Sequence, residues 1–100
     1  MDDKERFLQG RKKAMLLLNH NDRTTWELQD RMSRAGFEED VIADAIAYVK
    51  SFHYLDDYRF ASTYVRYHQD SLSRRQLELK LMTKGIGRDD INCAIDSEYT

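Results

Sequence analysis

The chain has 100 residues with no proline, four glycines and one cysteine, and its formal net charge is −2. Such a length makes one domain, or two small units, with a modest interior, and the scarcity of helix breakers beside abundant Leu, Ala, Arg, Lys, Glu and Asp favours an all-α chain. The lone Cys93 excludes an internal disulfide and suits a reducing compartment; no apolar run approaches the roughly 20 residues of a membrane helix and no leader precedes the first helix, so the expectation is a cytoplasmic protein.

Residues 2–19 read as a first helix, with Asp2 or Asp3 near its start and Phe7, Ala14, Leu17 and Leu18 at helical spacing. The polar run 19–23 is a loop. Thr24-Thr25-Trp26-Glu27 fits a capping box, with Thr24 as N-cap and Glu27 at N3. The helix that follows carries Leu28, Met32 and Ala35 on one face and stops at Gly36, after which Phe37 is expected to pack back on the helix end. A third helix opens on Glu38-Glu39-Asp40, acids where the helix dipole is positive, and its stripe of Ile42, Ala45, Ile46, Val49 and Phe52 reads as a buried face.

Leu55-Asp56-Asp57 begins a fourth helix that runs to about His68. Asp56 is the N-cap, and Leu55 and Phe60 fall at the two positions of a hydrophobic staple. Phe60, Ala61, Tyr64, Val65 and His68 lie roughly on one side. After a loop at 69–72, Ser73-Arg74-Arg75-Gln76 is a second capping box, stapled by Leu72 and Leu77. The fifth helix has Leu77 and Leu81 on its core face and ends at Gly85. The sixth carries Ile91, Ala94, Ile95 and Tyr99.

The two halves are copies of one three-helix unit, 1–55 and 56–100. Sliding residues 24–46 onto 73–95, an offset of 49, pairs Thr24 with Ser73, Glu27 with Gln76 and Leu28 with Leu77. It also pairs Met32 with Leu81, Gly36 with Gly85, Phe37 with Ile86, and Ile42, Ala45 and Ile46 with Ile91, Ala94 and Ile95. Agreement of caps, stops and core positions is the signature of a duplicated structural unit. The copies differ where Asp30 and Ser33 become Leu79 and Met82. Leu79 lies far around the wheel from Leu77 and Leu81, so it falls off the unit's own core. Another unit, a partner protein, or simple exposure would each account for it.

The pattern resembles the RecX family. The resemblance rests on Ala14-x-x-Leu17-Leu18, Thr24-x-x-Glu27-Leu28, Gly36-Phe37, Tyr54-Leu55-Asp56-Asp57-x-Arg59-Phe60-Ala61-x-x-Tyr64-Val65 and Leu81-x-x-Lys84-Gly85-Ile86. These pieces cover nearly the whole chain, and the central one is the most specific. The resemblance implies tandem three-helix units and a non-enzymatic regulator of recombination that binds the RecA recombinase filament and modulates, usually inhibits, its ATPase and strand exchange. It implies contact with the filament protein and its DNA phosphates through basic faces, without a cofactor, membrane or small-molecule substrate. The family usually has three such units and this chain carries two, so a fragment or a short member is expected.

Charge is unevenly placed. Residues 1–57 carry 9 Lys/Arg against 12 Asp/Glu, residues 58–88 carry 7 against 2, and residues 89–100 carry none against 4. The basic block supplies the candidate binding residues Arg66, Arg74, Arg75, Lys80, Lys84 and Arg88, suited to phosphates or to an acidic protein surface; ordinary solvated helix faces are the blander account. Arg74 and Arg75 sit in a first helical turn, where the dipole disfavours cations, so local stability does not explain them. Lys80 and Lys84, four apart, share a face.

Asp56 and Asp57 read as capping residues; with His53 and His68 they lack metal-ligand spacing. Tyr48, Tyr54, Tyr58, Tyr64 and Tyr67 are read as packing residues before base-stacking ones. Trp26, whose counterpart is Arg75, should be partly exposed, and Cys93 should lie near the buried stripe. No nucleophile–base pair, phosphate loop or carboxylate pair points to an enzyme. A helix-turn-helix DNA-binding protein is the competing reading, weakened by the acidic sixth helix.

Overall fold

A computed structural model describes residues 2–100. Six helices follow in order: α1 (Asp3–His20), α2 (Thr25–Arg34), α3 (Glu39–Ser51), α4 (Asp57–His68), α5 (Arg74–Thr83) and α6 (Arg88–Glu98). No strand occurs among the described residues, so the fold is all-α. The chain divides into two compact units, Met1–Leu55 and Asp56–Thr100.

The helix starts follow the capping chemistry written in the sequence. Glu27 N–H donates to Thr24 Oγ1 at 3.1 Å while Thr24 N–H donates to Glu27 Oε1 at 3.0 Å. The second box is its counterpart: Gln76 N–H donates to Ser73 Oγ at 3.2 Å, and Ser73 N–H to Gln76 Oε1 at 2.9 Å. Asp2 and Asp56 cap α1 and α4 by accepting from the N–H groups of Glu5 and Arg59. Each such cap is worth about 1 kcal/mol.

The helix ends use one motif three times. Phe37 N–H reaches Met32 O and Gly36 N–H reaches Ser33 O, and Ile86 and Gly85 repeat this with Leu81 and Met82. These are Schellman closures, and they place Gly36 and Gly85 at φ +92° and +81°. The end of α3 closes likewise through Tyr54 N–H to Val49 O and His53 N–H to Lys50 O. There the left-handed residue is His53, at φ +61°, a conformation disfavoured for a side chain bearing a β-carbon.

Each unit has its own core. In the first, Ala14, Leu28, Met32, Ile42, Ala45, Ile46, Val49 and Leu55 are buried together, and Phe37 packs against them. In the second, Ala61, Val65, Leu77, Leu81, Ile86, Ile91, Ala94 and Ile95 are. Leu28 and Leu77, Met32 and Leu81, Ala45 and Ala94, and Ile46 and Ile95 fill corresponding places, so the 49-residue offset is also a correspondence of packing roles. α1 meets α3 closely enough to require a glycine: a β-carbon on buried Gly10 would run into Cγ1 of Val41.

Several expectations need correction. Phe52 is 54% exposed instead of buried, because α3 ends at Ser51 and the turn carries Phe52 off the stripe. Its ring lies against Tyr48 and Tyr54. The Leu55–Phe60 staple is divided in role: Leu55 belongs to the first core and Phe60 packs on the second. Cys93 is exposed, one step around the helix from buried Ala94. Among the tyrosines, Tyr48 and Tyr64 pack on the cores, whereas Tyr54, Tyr58 and Tyr67 are exposed. Trp26 is half-exposed, as its counterpart Arg75 implied.

Candidate functional site

The six basic candidates all lie on the second unit, and the structure sorts them by how far neighbouring acids already occupy them. Arg66 on α4 donates from Nη2 to Glu98 Oε1 at 2.8 Å and from Nε to Oε2 at 3.2 Å, a two-point grip on α6. That guanidinium holds the Glu98 carboxyl below the usual glutamate range by hydrogen bonding, against a smaller opposing effect of burial. Arg74 donates from Nη2 to Asp96 Oδ1 at 2.8 Å and lies 3.5 Å from Glu78. Arg75 lies 3.5 Å from the other oxygen of Glu78.

These pairs overturn one inference from the sequence. Arg74 in the first turn of α5 does have a local stabilising role, because acids on α5 and α6 offset the unfavourable dipole. Asp96 is more than twenty residues away in sequence, so spacing along α5 could not reveal it.

Lys84 sits at the end of α5 with its Nζ 5.8 Å from the ring centres of both Phe60 and Tyr64, a cation over two aromatic faces. It is half-buried while Lys80 is exposed, so the two lysines differ in setting despite their four-residue spacing. Lys80 and Arg88 form no ion pair among the described residues and both are exposed. Arg88 is the first residue of α6, where the dipole is unfavourable and Asp89 and Asp90 follow it. The argument first made for Arg74 therefore transfers to Arg88.

A groove of about 180 Å³ separates α5 from α6. Buried Ile86 and Ile91 line it, Met82 overhangs it at 50% exposure, and Arg75, Glu78, Arg88 and Asn92 complete its walls. Sequence reading marked Met82 as a difference between the two copies but did not see the groove, which needs the crossing of α5 and α6 to exist. Leu79, 45% exposed, lies one turn before Met82 on α5. Among the described residues no three His, Cys, Asp or Glu side chains come together as a metal site would need, and no helix is long and apolar enough to cross a membrane.

Comparison with known proteins agrees in order and extent. The family model for the first three-helix domain of RecX matches residues 11–49, and that for the second matches residues 56–95. "Regulatory protein RecX" of Clostridium perfringens is 31% identical over 97 residues, covering 94% of this chain and 46% of that protein. The protein of the same name from Bacillus licheniformis is 33% identical over 90 residues, covering 88% of this chain and 34% of its own length. The chain thus spans about half, or less, of the length of the curated relatives it matches. The crystal structure of RecX from Lactobacillus salivarius superposes with a TM-score of 0.87 at 23% identity, over 94% of this chain and 62% of that one. A second, described as regulatory protein RecX, gives 0.84 at 19% identity, over 97% and 53%. With both three-helix domains matched in sequence order and the fold reproduced, the chain belongs to the RecX family.

Proposed function

We propose that this chain is a cytoplasmic regulator of homologous recombination and DNA repair that binds the RecA nucleoprotein filament and lowers its ATPase and strand-exchange activity. The observation that carries the reading is the ordered match to both RecX three-helix domains. The contact surface is the basic set Arg66, Arg74, Arg75, Lys80, Lys84 and Arg88. Within it Lys80, Arg88 and Arg75 do most of the binding, because Arg66 and Arg74 are held by Glu98 and Asp96 at 2.8 Å whereas Arg75 has only a 3.5 Å contact with Glu78. A cation already shared with a carboxylate has less to offer an incoming anion. Reading of duplex DNA by α6 is disfavoured by its chemistry, since that helix carries one cation, Arg88, against Asp89, Asp90, Asp96 and Glu98.

The test is ATP hydrolysis by RecA assembled on single-stranded DNA, with this chain titrated in and binding followed by co-sedimentation. The rate should fall as the chain binds. Charge reversal at Arg75, Lys80 and Arg88 together should weaken association by at least tenfold with helicity intact, and Arg66→Gln or Arg74→Gln should weaken it less. Absence of both binding and a rate change refutes the reading.

A further inference from the structure

The groove between α5 and α6 has a counterpart between α2 and α3, and comparing the two isolates what is special about the second. The first-unit groove is lined by Gln29, Ser33, Glu39, Ile42 and Ala43. At the 49-residue offset these are Glu78, Met82, Arg88, Ile91 and Asn92, which line the second. The backbone frame and the apolar floor of Ile42 or Ile91 are common to both, so the groove follows from the shape of the repeat. Its chemistry does not. The first lining carries one carboxylate and no cation, whereas the second carries the guanidiniums of Arg75 and Arg88 against the single carboxylate of Glu78. Met82 replaces a serine at the lip, and Leu79 replaces Asp30, which in the first unit pairs with Arg34 at 3.1 Å. Folding does not call for these changes, since the first unit closes its core with Ser33, Asp30 and Glu39 in place.

We infer that the α5–α6 groove is a docking site for a segment of the partner protein that presents an apolar side chain flanked by carboxylates. The apolar side chain enters against Met82, Ile86 and Ile91, and the carboxylates meet Arg88 and Arg75. Arg88 is the sharper anchor: it is exposed, forms no ion pair among the described residues, and sits at a helix N-terminus whose dipole also favours an anion. Nucleic acid fits less well. A phosphate meets the same guanidiniums and the same acids as a carboxylate does, but it gains nothing from Met82 or the isoleucine floor. The occupant is therefore protein, and the inference rests on the proposed association with the RecA filament for that partner's identity.

The test rebuilds the second groove with the first unit's residues. Met82→Ser, Arg88→Glu and the double variant install what positions 33 and 39 already carry, and Arg88→Glu puts an acid where the dipole favours one, so helicity by circular dichroism should be kept. Binding is measured on RecA filaments assembled on single-stranded DNA, and separately on the same DNA without RecA. The expected result is a loss of about tenfold for Met82→Ser and tenfold or more for Arg88→Glu on filaments. Lys12→Glu, exposed on α1 of the first unit and outside the basic set, serves as the charge control and should cost much less than Arg88→Glu. Unchanged filament binding by the double variant overturns the groove assignment while leaving the filament reading intact. Loss with Arg88→Glu but not Met82→Ser, matched on DNA alone, overturns the protein occupant in favour of phosphate. Failure of the unaltered chain to bind filaments overturns the filament reading and this inference with it.

Discussion

Gly10→Ala should destabilise the first unit, and the same change should stabilise it once Val41 is shortened. Gly10 lies in the interior of α1, where alanine is favoured over glycine by about 1 kcal/mol from backbone entropy alone. Against that stands the position of Val41 on α3, which is only 3% exposed and whose Cγ1 occupies the place of the added β-carbon. Valine in a helix has one strongly preferred rotamer, so Cγ1 cannot swing away cheaply, and overpacking of this kind costs about 1–3 kcal/mol. The clash therefore outweighs the propensity, leaving a net loss of about 1 kcal/mol. In a Val41→Ala background the obstruction is gone and the same mutation should gain about 1 kcal/mol, a coupling of roughly 2 kcal/mol between the two sites. Urea denaturation followed by fluorescence gives the measurement, because Trp26 is the single tryptophan and reports on the first unit. Equal effects of Gly10→Ala in both backgrounds would show that the α1–α3 contact is not what requires the glycine.

Two further expectations concern the second unit. The Glu98 carboxyl, held below its usual range by Arg66, contributes stability that is full above the unfolded-state value of about pH 4.3 and is lost as pH falls through its lower folded value. Carbon-detected NMR titration should place its midpoint below the usual glutamate range, and Arg66→Gln should raise it; an unmoved midpoint would mean the pair does not persist in solution. Ser62 is buried on α4 with a hydroxyl oxygen that lacks a hydrogen-bond partner, so Ser62→Ala should raise stability by about 1 kcal/mol in denaturant melts, and a loss would reveal a partner for that hydroxyl.

The repeat was legible because its information is local. A capping box needs a Thr or Ser and a Glu or Gln three residues later, a Schellman stop is usually announced by a glycine, and a buried stripe needs apolar residues at helical spacing. Phe52 and His53 show where such reasoning ends. Phe52 continues the stripe by spacing, yet the helix stops one residue earlier and leaves it exposed. His53 takes a left-handed conformation that a glycine would normally announce. In both cases the closure of α3 overrides the residue's own preference. Among the basic residues, Lys80 and Arg88 could be placed on the surface from the sequence, whereas the occupation of Arg66 and Arg74 could not.

The sequence by itself determined six helices, most of their caps and stops, the duplication, and most residues of each core. These depend on hydrogen bonds spanning five residues or fewer and on helical periodicity, repeated at an offset that can be counted. The tertiary structure alone decided which cations are already neutralised and where a groove opens. Arg66 meets Glu98 across 32 residues, Arg74 meets Asp96 across 22, and Met82, Arg88 and Ile91 share a wall only because α5 crosses α6. Charge and apolar surface act through distance in space, and that distance is set by packing.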